Sequence, residues 1–228
     1  MDPQLYFFIM LTVAILISRT PLKKPFLWME TFFHELSHGL AALFTFGWIH
    51  RITLSFNGAG CCTTSGGLRI PILLAGYAGA VTWGAVIFLA GWLMNAHGDI
   101  LLLKILMSVI VFCTIMWVRD FKTLFIMVVM LGVFYLPTQA SDPHIPSLAI
   151  EFLGIYVLQS ALSAPLDLID GKHVGDGADL ANVTKIIPEG VWILLWMAYA
   201  LATLFWLWQY ITPIQDRFMW DYPYLPFI

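Results

Sequence analysis

Charge is what this sequence has least of. Only 11% of its 228 residues are Asp, Glu, Lys or Arg, against 60% hydrophobic, and the mean hydropathy is +0.84. A soluble domain is roughly a quarter charged, so a chain of this size cannot hide such an apolar surplus in a globule; the natural sink is lipid. Basic runs are missing and the net charge is −3, which removes the electrostatic footprint of a nucleic-acid partner. Cysteine is scarce too. Cys61 and Cys62 are adjacent, where a mutual disulfide is strained, and Cys113 lies in an apolar run. No CxxC spacing exists, so neither a zinc knuckle nor a redox pair is indicated, and the cysteines read as buried or lipid-facing thiols. No Lys or Arg precedes the first apolar run, while Arg19, Lys23 and Lys24 follow it, the reverse of a cleaved signal peptide. That run reads as a retained first span. Neither a repeat nor a low-complexity linker divides the chain, and 1–228 reads as a single domain.

What the sequence does have is apolar runs, and about 20 residues cross the hydrocarbon core. Runs at 4–18, 26–48, 70–94, 100–118, 121–137, 146–166 and 190–211 predict an all-α polytopic membrane protein with about seven transmembrane helices, six to eight being the range. Backbone groups in lipid must be satisfied within the segment, which makes these runs helices. Arg119-Asp120 separates the fourth from the fifth as a tight turn. Segment 49–69 is different: Arg51-Ile52-Thr53-Leu54-Ser55-Phe56-Asn57 alternates with period two, Asn57-Gly58 supplies a turn, and Cys61 to Ser65 can return. A β-hairpin between two membrane helices is predicted. Gly76, Ala80 and Gly84, spaced by four, predict a helix-packing seam. A hydrophilic stretch at 167–189 holds Asp167, Asp170, Asp176 and Asp179 with Lys172 and Lys185. Arg51, Arg69, Arg119 and Lys122 place the hairpin in the cytosol by the positive-inside rule. Arg19, Lys23 and Lys24 favour the opposite face if helix 26–48 crosses fully.

Chemistry concentrates in His34-Glu35-Leu36-Ser37-His38, an HExxH sequence inside an apolar helix. Four residues advance a helix by about 6 Å and leave both imidazoles on nearly one face. Two neutral imidazoles can then grip one Zn²⁺ while Glu35 acts on water. Ionisable groups in a membrane span cost at least about 2.5–3.5 kcal/mol each by insertion scales and are normally functional. Such a cluster in one span calls for a compensating ion. A catalytic zinc needs a third protein ligand, for which Asp167 and Asp170, after the sixth apolar run, are the candidates. Glu30, one turn before His34, is a candidate acceptor for a ring N–H, or an interfacial carboxylate without a role. Glu151 reads as a snorkelling or a functional carboxylate. His50, His97, His144 and His173 read as solvated loop histidines.

At this point the chain resembles the site-2 protease family of membrane-embedded zinc metallopeptidases, in its compact B-like branch. The residues that carry the likeness are His34-Glu35-Leu36-Ser37-His38-Gly39 with Ala41-Ala42-Leu43, Thr64-Ser65-Gly66-Gly67, Gly76-Tyr77-Ala78-Gly79-Ala80, Arg119-Asp120-Phe121, Leu166-Asp167-Leu168, and the stretch from Asp176 to Pro188 with Trp192. The resemblance implies a zinc endopeptidase that cuts peptide bonds within or next to transmembrane segments, with Glu35 as general base and His34 and His38 as metal ligands. It implies an aspartate as third ligand. Pro165 and Asp170-Gly171 fit the family's Asn, Pro, Asp-Gly spacing, with Leu162 where the Asn stands, whereas the B-like branch favours Asp167. Asp167 is therefore the expected ligand and Asp170 the alternative.

Its partners are then a membrane protein or transmembrane peptide as substrate, and the lipid bilayer, with a cell (plasma or inner) membrane as the expected location. A strand edge at 51–57 or 61–66 can hold the substrate open by strand addition, or the hairpin merely plugs the site from water. The competing reading is a non-proteolytic zinc-binding regulator, chaperone or transporter. Glu35 separates the two, since a pure binding site needs no general base.

Overall fold

The computed structural model describes residues 3–97, 100–142, 144–169 and 173–221. Helices α1 (Pro3–Ser18) and α2 (Lys23–Phe44) lead into strands β1 (Trp48–Leu54) and β2 (Gly60–Ser65). Helices α3 (Arg69–His97), α4 (Leu101–Trp117), α5 (Phe121–Tyr135), α6 (His144–Ser163), α7 (Asp176–Thr184) and α8 (Glu189–Asp221) follow. Single 3₁₀ turns extend α5 through Gln139 and α6 through Leu168.

The predicted helices and hairpin are found, but the expected seven crossings are not. Among the described residues four helices are long and apolar enough to cross a membrane, those at Arg69–Asn95, Phe121–Gln139, His144–Leu168 and Glu189–Ile211. A fifth is reached if α1 and α2 count as one broken span, for they meet at 103°. The shortfall is geometric. At about 1.5 Å per residue α1 and α4 reach only roughly 24–26 Å, short of a ~30 Å hydrocarbon core. The result is a multi-pass membrane protein built around one small sheet.

Close helix approach depends on glycine, as expected, but the seam is divided between two neighbours. On α3, Gly84 faces α6, where an added Cβ would stand 2.8 Å from the Leu158 backbone nitrogen, and Gly91 faces Glu151 in the same way. Gly154 on α6 answers by meeting the Phe88 backbone. Backbones this close exchange dispersion contacts that larger residues forbid. Gly76 and Gly79 turn instead to α2, meeting His38, His34 and Ser37, so Gly76 of the predicted seam belongs to the site. Glu151 does not snorkel: it is 1% exposed, deep in α6 and facing Tyr6 of α1.

The hairpin is pinned from outside. Asp120 caps α5 by accepting from the Thr123 backbone N–H at 2.9 Å. Slight burial works against its charge, but these bonds from Thr123 outweigh it and hold the carboxyl below its ordinary range. Thr123 in turn accepts from the Leu54 backbone N–H at 2.9 Å, occupying the outer edge of β1. Arg119 donates to the last carbonyls of α4, Ile115, Met116 and Val118, where a cation complements the helix terminus. The Arg119-Asp120 turn thus caps one helix at each end and fixes β1 against α5.

Candidate metal centre

The site begins with α2, whose buried face carries Glu30, Glu35 and His38 beside the half-buried His34. The two imidazoles meet edge-on, with Nε2 atoms 3.0 Å apart. The His38 Nδ1 lies 2.6 Å from the Ile72 carbonyl of α3. A carbonyl can only accept, so Nδ1 carries the hydrogen and the neutral ring turns a bare lone pair outward from Nε2. Tyr77 packs edge-on against His34 at 4.5 Å, fixing the second ring.

A third donor arrives from an unexpected element. Asp176, the first residue of the short helix α7, brings its Oδ2 to 3.1 Å from both Nε2 atoms. One ligand atom from each of His34, His38 and Asp176 lies within 4.8 Å of the others. Gly175, at φ 111°, turns the chain into α7, and Leu180 anchors that helix in a cluster with Leu73, Trp192 and Trp196. Arg69 at the start of α3 pairs with Asp179.

Three acceptor atoms turned on one point are mutually repulsive without a cation between them. The geometry suits one. Corners of a triangle with these edges lie about 1.8 Å from its centre, close to the ~2.0–2.1 Å at which these donors would hold zinc. The donor set of two imidazoles and one carboxylate matches a catalytic zinc site. Surrounding charge agrees. Glu30, Glu35 and Asp167 line a cavity of about 220 Å³ together with His34, Tyr77 and Gly60, and no Lys or Arg is among its described lining residues. The Cys62 thiol on β2 is pushed up to about 12, by burial and then by the Glu35 charge.

Of the expected site residues, His34, Glu35 and His38 come together. Asp167 lines the same cavity without reaching the imidazole nitrogens, and Asp170 lies outside the described residues. Glu30 stands near His34, but the His38 ring hydrogen goes to Ile72. Among the loop histidines, His50 bonds Ser65, His144 bonds Asn95 and His173 bonds Glu189. Sequence reasoning passed over Asp176 because candidates were sought beside long apolar runs. The available signal was an Asp-Gly-Ala-Asp-Leu segment opening a short helix with buried Ala178 and Leu180.

Gly76 gives the centre its most direct test. A Cβ there would stand 2.5 Å from His38 Nε2 and 2.7 Å from His34 Cε1, so Gly76→Ala must move both rings. Zinc affinity, measured by competition with a chromophoric chelator, is expected to fall at least about tenfold, the scale of losing a ligand-orienting contact. Unchanged affinity would show that the rings do not bind metal from these positions.

A family model described as Peptidase M50B-like matches residues 7–207 of the chain. No curated protein and no solved structure matches it.

Proposed function

We infer that this chain, which belongs to the Peptidase M50B-like family, is a zinc endopeptidase cutting peptide bonds within or next to transmembrane segments. One observation carries the reading: His34, His38 and Asp176 converge on a single point beside Glu35, at the wall of a cavity within a membrane protein. His34, His38 and Asp176 are the proposed ligands, in place of the expected Asp167. When bound there, zinc supplies Lewis acidity, polarising a carbonyl and making water a better acid.

The chain's own residues supply the rest. Glu35, next to His34 and 8% exposed, is placed to take a proton from water as it attacks the peptide carbonyl, then to deliver it to the departing amine. Ile72 holds His38 in the tautomer that leaves Nε2 free. Asp167 and Glu30 keep the cavity acidic, which favours a cation and disfavours a second anion. Metal removal tests the reading. Protein in liposomes with a transmembrane peptide is expected to lose cleavage on treatment with a zinc chelator and regain it on adding Zn²⁺. Cleavage that persists in the fully stripped protein would end it.

The strand that would hold substrate is β2. Ser55 N–H donates to Ala59 and Leu54 N–H turns away to Thr123, so the Leu54–Gly60 pair faces outward. Alternation then turns Cys62 and Thr64 outward as well. Thr123 covers the β1 edge, while β2 begins at Gly60 on the cavity wall with the Cys62 backbone facing Glu35. A peptide bond inside a helix is shielded by its own hydrogen bonds, and adding an opened segment to β2 replaces them. Thr64→Pro removes one outward N–H without touching the ladder. It is expected to retain zinc and lower kcat/KM by roughly 3–10-fold, the value of one hydrogen bond. Prolines in both strands that left proteolysis intact would remove the hairpin from the mechanism.

A further inference from the structure

A second, larger cavity of about 480 Å³ opens beyond the metal centre, and the two share Leu27, Ala164 and Asp167 as common wall. Anything extended that leaves Glu35 past Asp167 therefore enters it. Its ends differ in charge. Asp167 stands at the inner end, while Arg19 and Lys23, from the bend between α1 and α2, also line the space. Neither cation forms an ion pair among the described residues. Between them the wall is hydrogen-bonding rather than greasy, with Asn57 from the hairpin tip and Ser160 from α6. Gln159 also lines it and is 9% exposed.

We propose that this outer cavity is a specificity subsite. It holds an extended stretch of substrate beside the cleaved bond, with an acidic side chain set against Arg19 and Lys23. The proposal rests on the proteolytic reading and adds the preference of that site. An unwound polypeptide leaving the metal cavity past the shared wall of Leu27, Ala164 and Asp167 carries such a side chain directly to these cations. An anionic headgroup such as phosphatidylglycerol supplies charge but has no link to the metal cavity. The metal cavity is itself acidic, so the preference is confined to the outer end, and an acidic residue next to the cleaved bond gains nothing.

The test uses the full-length zinc-loaded protein in phosphatidylcholine vesicles with transmembrane peptides that differ at one juxtamembrane position: Glu, Gln or Lys. Wild type is expected to cleave the Glu peptide about tenfold better than the Lys peptide in kcat/KM. The Arg19→Glu/Lys23→Glu double variant is expected to invert that order while binding zinc as before. A loss shared equally by all three peptides overturns the subsite, because a merely structural role acts that way. An effect seen only when phosphatidylglycerol is present overturns it in favour of a lipid headgroup. Should wild type cleave none of the peptides, the proteolytic reading fails by itself, and binding of the same labelled peptides then decides the subsite. Tighter binding of the Glu peptide that depends on Arg19 and Lys23 supports it, and equal binding of all three overturns it.

Discussion

A Glu35→Gln protein is expected to keep its zinc and lose peptide cleavage by about 10²–10⁴-fold, the usual contribution of a positioned general base. The change is nearly isosteric. It removes a proton acceptor while leaving His34, His38 and Asp176 and their spacing alone. Gln can donate an N–H where the carboxylate accepted, yet it cannot accept a proton from attacking water at neutral pH. The expected loss equals about 2.7–5.5 kcal/mol of barrier. Metal analysis and single-turnover cleavage on the same preparation separate the two effects. A protein that cleaves as before would exclude Glu35 as the base, and one that binds zinc but never cleaved before the change would be the binding module.

The second large effect lies with the aspartates. Asp176→Ala is expected to lower zinc affinity by more than about 100-fold, beyond the range for losing a supporting contact, because it takes away one of the converging donors. Asp167→Ala is expected to leave affinity little changed, since that carboxylate lines the cavity without reaching either Nε2. Chelator competition on both variants reverses the assignment if Asp167→Ala is the one that releases metal. Asp179→Ala belongs beside them as a control: it breaks the contact with Arg69 but leaves α7 anchored through Leu180.

Much of this was legible in the sequence, for reasons that differ by element. The HExxH pair was readable because helical spacing alone puts His34 and His38 on one face. The hairpin was readable from period-two alternation and Asn57-Gly58, although its register shift between Ile49 and Arg51 was not. Span count failed where composition outran length. Residues 4–18 and 100–118 are apolar enough to cross, yet their helices are too short to do so unaided. Asp176 was hidden because its role depends on a tertiary return: α7 packs between α3 and α8 through Leu180, a placement that no local periodicity encodes. Gly76 was assigned to helix packing because a glycine spaced by four looks the same whether it faces a helix or an imidazole.

The placement of Asp176 also governs when the three donors can come together. Translation delivers His34 and His38 before Asp176, and the α8 tryptophans that seat α7 follow it. At ~5–20 residues per second, the interval between the histidines and the aspartate is roughly 7–30 s. During that time the emerging polypeptide has two of the donors and lacks the third. The three-donor cluster closes only after α7 and the α8 tryptophans that seat it have been made.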